Sequence, residues 1–286
     1  MIYLDMTAVI GAVKDKTDIV PFVIRNVTAE LQGAYPQVKA AEAFYDTLAN
    51  VVSLTGIEFI MIIDEWDAPI RETKHDTKVQ TLYLEFLRSL FKNSSLTAKI
   101  FAAVYMIGIL PVKKDGSQSA ISDFQEYSMI HPMEFADYVG FTEDDVRKLC
   151  AEHHGDFSMM KQWYDGYAVG KADSIYNPNS VMKALRSQEF CSYWTETSAA
   201  KSLMEYIGLD FDGMSKTLAE LLGGIAVPVD TGGFANDLVT FRDRDDVLTL
   251  LIHLGYLAYE RETKTAYIPN EEIRLEFAKA IPLLKV

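Results

Sequence analysis

The run Phe59-Ile60-Met61-Ile62-Ile63-Asp64-Glu65-Trp66-Asp67 constrains the fold of this chain more than any other stretch. Phe59, Ile60, Ile62 and Ile63 are β-branched or aromatic, and no polar residue falls on either face until Asp64. Such a run reads as a strand buried on both sides, the kind found in the parallel sheet of an α/β domain. Two adjacent carboxylates then stand at its C-terminal end, where open α/β sheets bind ligands.

The first half of the chain supplies the elements such a sheet needs. Ile2 to Met6 reads as a short strand. From Ile19 to Tyr35 the residues Val20, Val23, Ile24, Val27 and Leu31 recur at helical spacing, and Pro36 stops the helix. A second helix is predicted over Ala40 to Leu54, ended near Gly56. Thr77 to Lys92 is a third, with Leu82, Phe86, Leu87, Leu90 and Phe91 on one face. Lys99 to Ile107 reads as another buried strand and Tyr127 to Ile130 as a fourth. Strands separated by helices of this length imply right-handed crossovers and parallel pairing.

The second half changes character. Thr142-Glu143-Asp144-Asp145 is a variant capping box, and Asn177-Pro178 opens another helix. Residues 199–222 look helical up to Gly223-Gly224. Asp245 to His253 is a helix stopped at Gly255. Tyr256 to Tyr259 and Thr265 to Ile268 then form a hairpin, followed by a last helix from Glu271 to Ala280. Helix, hairpin and helix in that order suggest a winged-helix-like module.

Composition narrows the classes. A length of 286 residues suits one large or two modest domains. A net charge of −14 opposes nucleic-acid binding, which needs a cationic footprint. No apolar stretch is long enough to span a membrane. Asp5, Lys14, Asp15 and Lys16 interrupt the N-terminal region, which argues against a secretion signal. Cys150 and Cys191 form no disulfide framework, as expected of reduced thiols in the cytoplasm.

The acidic strand end has the pattern of a Walker B strand in a P-loop ATPase, where the first acid holds Mg²⁺ and the second polarises the attacking water. The plainer reading is a core strand running into a solvated acidic turn. Further signatures bear on the choice. They are Ile63-Asp64-Glu65-Trp66-Asp67, Met106-Ile107-Gly108-Ile109-Leu110, Tyr138-Val139-Gly140-Phe141-Thr142-Glu143, Trp163-Tyr164-Asp165-Gly166-Tyr167, Tyr176-Asn177-Pro178-Asn179-Ser180, Tyr193-Trp194, and Leu254-Gly255-Tyr256-Leu257 before Ile268-Pro269-Asn270-Glu271. In this order the chain resembles the predicted AAA-ATPase-like proteins of bacteria. The resemblance implies an ATPase core, a helical and winged-helix lid, and often a nuclease-like domain of the PD-(D/E)XK type further along. It also implies ATP and Mg²⁺ as the ligands of intact relatives.

The departures from that pattern matter as much. Family members open with a strand and a Gly-rich loop ending in Gly-Lys-Thr or Gly-Lys-Ser, whose backbone N–H groups wrap the phosphates. Here the only Gly-Lys pair is Gly170-Lys171, followed by Ala172. The first strand of the chain matches the second strand of the family, so the sequence is expected to start after the phosphate site. Glu262-Thr263-Lys264 lies on the hairpin turn, where solvated charges belong, and is not expected to be a nuclease centre. The expected fold is α/β: an incomplete P-loop NTPase-like parallel sheet with helices on both faces over residues 1–135, then a mostly helical, winged-helix-like domain over residues 136–286. Without its central strand the sheet has a gap, which the Tyr127–Ile130 strand is expected to close by pairing with the 99–107 strand.

Asp64 and Glu65 are accordingly the candidate catalytic acids, with Asp64 the candidate metal ligand. Lys113 and Lys114 sit where such ATPases place a γ-phosphate sensor, and Lys113 is the candidate cofactor contact; a pair of loop lysines is the plainer reading. Arg71 is a comparable loop candidate. His153-His154 near Cys150 lacks a second ligand pair at zinc spacing. Trp163, Tyr164 and Tyr167 could stack on a base, although aromatics beside a Gly turn more often lock domains together. Met159-Met160 reads as packing. The function expected is an AAA-ATPase-like domain with Walker B acids and little or no ATP hydrolysis or cofactor binding by itself. The alternatives are a non-catalytic protein-interaction module and an ATPase completed in trans by an upstream chain.

Overall fold

Asp5 ends one strand and begins a helix. In the computed structural model, β1 covers Ile2–Asp5, and the Asp5 side chain accepts from the Ala8 backbone N–H at 3.0 Å, capping α1, Met6–Ala12. Met6 is therefore helical rather than the last residue of the strand. The described residues are 1–73, 76–92, 94–109, 114–115, 118–119, 124–170, 172–194, 213–234 and 241–280. They fall into two units, one over Met1–Gln125 and one from Glu126 onward.

In the first unit α2 spans Ile19–Ala34 and α3 Phe44–Thr55, the latter closed by Gly56 at φ 68°. The helix expected from Ala40 thus starts later, with Ala43 as its N-cap. β2, Phe59–Asp64, leads through α4, Ala68–Glu72, and α5, Thr77–Phe91, to α6, Ser94–Ile100, and β3, Phe101–Met106. Lys99 and Ile100, expected in the strand, belong to that helix.

The three strands stand in sheet order β1-β2-β3, parallel throughout. Both crossovers step in the same direction, so right-handed connections put every intervening helix on one face. That face is the core: Ile2, Leu4, Phe59, Met61 and Ile63 pack with Ile10, Ile19, Val23, Leu48, Tyr83 and Leu87. The opposite face is exposed, with Tyr3 at 55%, Ile60 at 43% and Tyr105 at 57% accessibility. Helices on both faces, and a β2 buried on both sides, are therefore corrected to a single covered face.

Tyr127–Ile130 is not a strand. Ser128 and His131 exchange backbone hydrogen bonds, 3.1 Å each, and turn the chain ahead of Pro132. It cannot pair with β3, which has β2 as its only strand neighbour among the described residues.

The second unit is less purely helical than expected. Phe141–Thr142 and Tyr167–Val169 flank Ala172–Tyr176 in one antiparallel sheet. Ala258–Glu260, Thr265–Tyr267 and Val227–Pro228 form another. Around these lie helices Glu143–His153, Phe157–Tyr164, Pro178–Ser187, Met214–Leu222, Arg244–His253 and Glu271–Ala280. The capping box at Thr142 forms with Asp145 as its reciprocal partner. Residues 199–212 of the long helix expected before Gly223 lie outside the described residues. No described helix is long and apolar enough to cross a membrane.

Candidate functional site

The end of β2 is held by backbone first. Ile107 N–H donates to Ile63 O at 2.9 Å and Trp66 N–H donates to Ile107 O at 3.0 Å, so the chain after β3 runs beside the acidic turn. Glu65 takes φ 51°, a left-handed conformation rare for a non-glycine residue, which turns the chain from strand into α4. The two acids therefore leave the sheet in different directions.

Asp64 faces the exposed side of the sheet. Its Oδ2 accepts from the Tyr3 hydroxyl at 2.8 Å, and its Oδ1 accepts from the Glu65 N–H at 3.1 Å. Glu65 pairs instead with the Arg71 guanidinium. Burial lifts the Glu65 carboxyl above its usual range; Arg71 opposes that, and Asp67, Asp64 and Asp5 reinforce it.

Asp67 is the anchor of the turn. It is fully buried, and its Oδ2 accepts from Arg71 Nε at 2.8 Å. A Cβ at Gly108 would lie 2.5 Å from Asp67 Oδ1 and 2.7 Å from Trp66 Cδ1, so only glycine lets the two segments meet. Tyr83, buried on α5, donates to Trp66 O at 2.8 Å. Replacing Arg71 by Ala strips a buried carboxylate of an ion-pair partner. It is expected to cost the first unit about 3 kcal/mol, read as a lower urea midpoint in Trp66 fluorescence.

The other sequence candidates sort as follows. Lys113 lies outside the described residues, as does the side chain of Lys114. His153 and His154 are exposed and Cys150 is buried, and among the described residues no group of three or more His, Cys, Asp or Glu side chains is placed to hold a metal ion. Tyr164 and Tyr167 are buried inside the second unit, donating to Cys191 O at 3.0 Å and Gly255 O at 2.6 Å, so neither offers a ring to a base.

The signatures of the second half converge on one junction. Asp165 Oδ1 accepts from Gly166 N–H and Ser174 Oγ, both at 2.6 Å. Asn270 Nδ2 donates to Asp165 O at 2.7 Å, and the Tyr267 hydroxyl donates to Gly166 O at 3.1 Å. Glu272 Oε1 accepts from Ser180 Oγ at 3.0 Å and Tyr193 N–H at 2.7 Å. These motifs hold the second unit together. Tyr3 and Glu272 were not singled out from sequence, and Gly108 appeared only within the Met106–Leu110 signature. Only the spacing of Asp67 and Arg71, four apart at a helix start, carried a readable signal.

A parallel three-stranded sheet, with paired acids at the end of its middle strand and helices packed on it, makes the first unit an α/β domain. Over residues 1–117 the chain matches the family described as Predicted AAA-ATPase, a stretch that lies within the first unit. The comparison with curated proteins returned no match.

Proposed function

We propose that the chain carries the acid half of an ATPase site and hydrolyses little or no ATP by itself. The observation that supports this is the position of Asp64 and Glu65 at the C-terminal end of the middle strand, inside the stretch that matches the Predicted AAA-ATPase family. In this reading β2 is the Walker B strand of a P-loop NTPase-like core over residues 1–135. Asp64 is the residue that would hold Mg²⁺ through water, and Glu65 the one that would orient the hydrolytic water. Residues 136–286 form a cytoplasmic lid with a winged-helix-like end, supported by the order helix, hairpin, helix at its C-terminus.

The residues present do not complete such a site. Two carboxylates, one tied to Tyr3 and the other to Arg71, give no third ligand, and the sequence holds no Gly-Lys-Ser or Gly-Lys-Thr loop. Magnesium held by one or two carboxylates without substrate phosphates keeps most of its waters and binds weakly. Completion by an upstream chain is a second reading, and the sheet favours it. A strand laid beside β3 and connected back toward β1 would reverse the direction of stepping, so its right-handed crossover helix would land on the exposed face.

The purified chain is expected to release no phosphate from ATP above the rate of a protein-free blank, with Mg²⁺ present or absent. Turnover that disappears in Glu65→Gln would overturn this and make the chain an enzyme on its own.

A further inference from the structure

The segment ahead of the Thr142 capping box is outside the proposed ATPase site and carries an ordered surface of its own. Met133–Tyr138 is a 3-10 helix. With three residues per turn, side chains three apart eclipse one another and the helix presents three separate ridges. Phe135 and Tyr138 form one, at 41% and 80% accessibility. Glu134 and Asp137 form the next, both exposed. Met133 and Ala136 form the third: Met133 at the helix start is exposed, and Ala136 is buried in a cluster with Tyr167, Val169, Ile175 and Ala258. Close approach at Gly170, where a Cβ would stand 2.9 Å from Ala136 Cβ, seats that third side.

The first residue of each outer ridge, Phe135 and Glu134, is fixed in place rather than merely exposed. The Tyr127 ring meets Phe135 edge-on, centroids 4.5 Å apart at 87°. Glu134's own backbone N–H, and after it the Tyr127 hydroxyl that donates to Glu134 Oε1 at 2.8 Å, hold that carboxyl below its usual range. From Glu126 to Val139 the charged residues are Glu126, Glu134 and Asp137, with no Lys or Arg. An aromatic ridge beside a parallel carboxylate ridge is complementary to one side chain above others. A guanidinium stacks its plane on a ring within about 6 Å and directs its N–H fork at a carboxylate. An ammonium, compact and strongly hydrated, uses the charge and gains little from the rings.

We infer that the Phe135/Tyr138 and Glu134/Asp137 ridges form a docking surface for an arginine-bearing segment of a partner protein. Each guanidinium lies on an aromatic ring and pairs with the neighbouring acid. Order already present at Tyr127, Phe135 and Glu134 lowers the side-chain entropy lost on binding.

The test uses the full chain and three fluorescent peptides of equal length, read by anisotropy: hexa-arginine, hexa-lysine, and a neutral apolar control. The arginine peptide is expected to bind about ten-fold more tightly than the lysine peptide. The double variant Phe135→Ala/Tyr138→Ala should abolish that preference while leaving lysine binding in place. Glu134→Gln/Asp137→Asn should weaken both cationic peptides. Each variant is first checked for an unchanged urea midpoint in Trp163 and Trp194 fluorescence. Equal binding of arginine and lysine peptides, or an arginine preference that survives loss of both rings, reduces the surface to bulk charge and overturns the inference. Failure of any cationic peptide to bind, or equal binding of the apolar control, overturns it as well.

Discussion

Gly166→Ala is expected to destabilise the second unit by about 4 kcal/mol, among the largest effects a single methyl group can have. Gly166 sits at φ 109°, in a region that side chains rarely enter, and a Cβ there would stand 2.0 Å from Pro269 O. The clash is with backbone, which cannot rotate aside as a flexible side chain could. Relieving it requires the 165–167 turn and the 267–270 turn to part. That separation would take with it the hydrogen bonds from Tyr267 to Gly166 and from Asn270 to Asp165. Urea unfolding followed by Trp163 and Trp194 fluorescence measures the loss. Gly33→Ala is the control, since Gly33 lies within α2 of the first unit and a Cβ there meets nothing within 4 Å; it should stabilise the first unit by about 0.5–1 kcal/mol and leave the Trp163 and Trp194 transition in place. A Gly166→Ala protein within about 1 kcal/mol of its parent, well under the magnitude expected of backbone overpacking, would mean that the junction is looser than its distances state.

Glu272→Gln should leave stability unchanged at pH 4.5 and raise it by about 3 kcal/mol at pH 8. Glu272 is 1% exposed. Burial pushes its carboxyl up to about 7, against the pull of hydrogen bonds from Tyr193 and Trp194 backbone and Ser180, and with Glu276 adding to the rise. Below its unfolded value of 4.5 the group is protonated in both states and has no effect. As the pH climbs from there to about 7 the unfolded chain ionises and the folded one does not, so stability is lost across that window. Gln keeps the acceptor oxygen for Ser180 and Tyr193 and cannot ionise.

The parent protein alone would show the effect poorly, because His253 titrates against it. Burial lowers His253 from 6.5 to about 4, with His131 acting the same way, so its share of the stability disappears as the pH falls through that interval. His253 is only partly covered and its contribution is discounted accordingly, to about 2 kcal/mol. Subtracting parent from variant at each pH removes the histidine. A difference that stays constant from pH 4.5 to 8, or a variant less stable than its parent at pH 8, would show that Glu272 is ionised in the fold.

Much of this architecture could be read from residues because the signals were local. β2 announced itself by five consecutive apolar residues, and α2 and α5 by apolar spacing along one stripe. The acids at the strand end followed from β2 alone. What failed was whatever depended on distant neighbours. An apolar strand face covered by helices has the same sequence as one left bare, so Ile60 and Tyr105 gave no warning that they stand exposed. Tyr127 to Ile130 had strand composition, but the Ser128–His131 bonds before Pro132 decided its shape. Met6 was taken for a strand residue because the cap that Asp5 places on α1 depends on the next turn of chain. Glu272 looked like any acid in a first helical turn, and became a buried titrating group only through Ser180 and Tyr193, remote in sequence.

The order of the sheet bears on how the first unit is made. Its strands lie side by side in the order in which they occur along the chain. Each one therefore finds its pairing edge on the strand completed just before it, with the connecting helices already long enough to fold back. During synthesis, where domains form from their N-terminal side as the chain is extended, β2 can dock on β1 and β3 on β2 with no wait for later residues. The order of the described sheet thus permits vectorial assembly, in which growth proceeds from one edge to the other and the last strand laid down is the one whose outer side stays available.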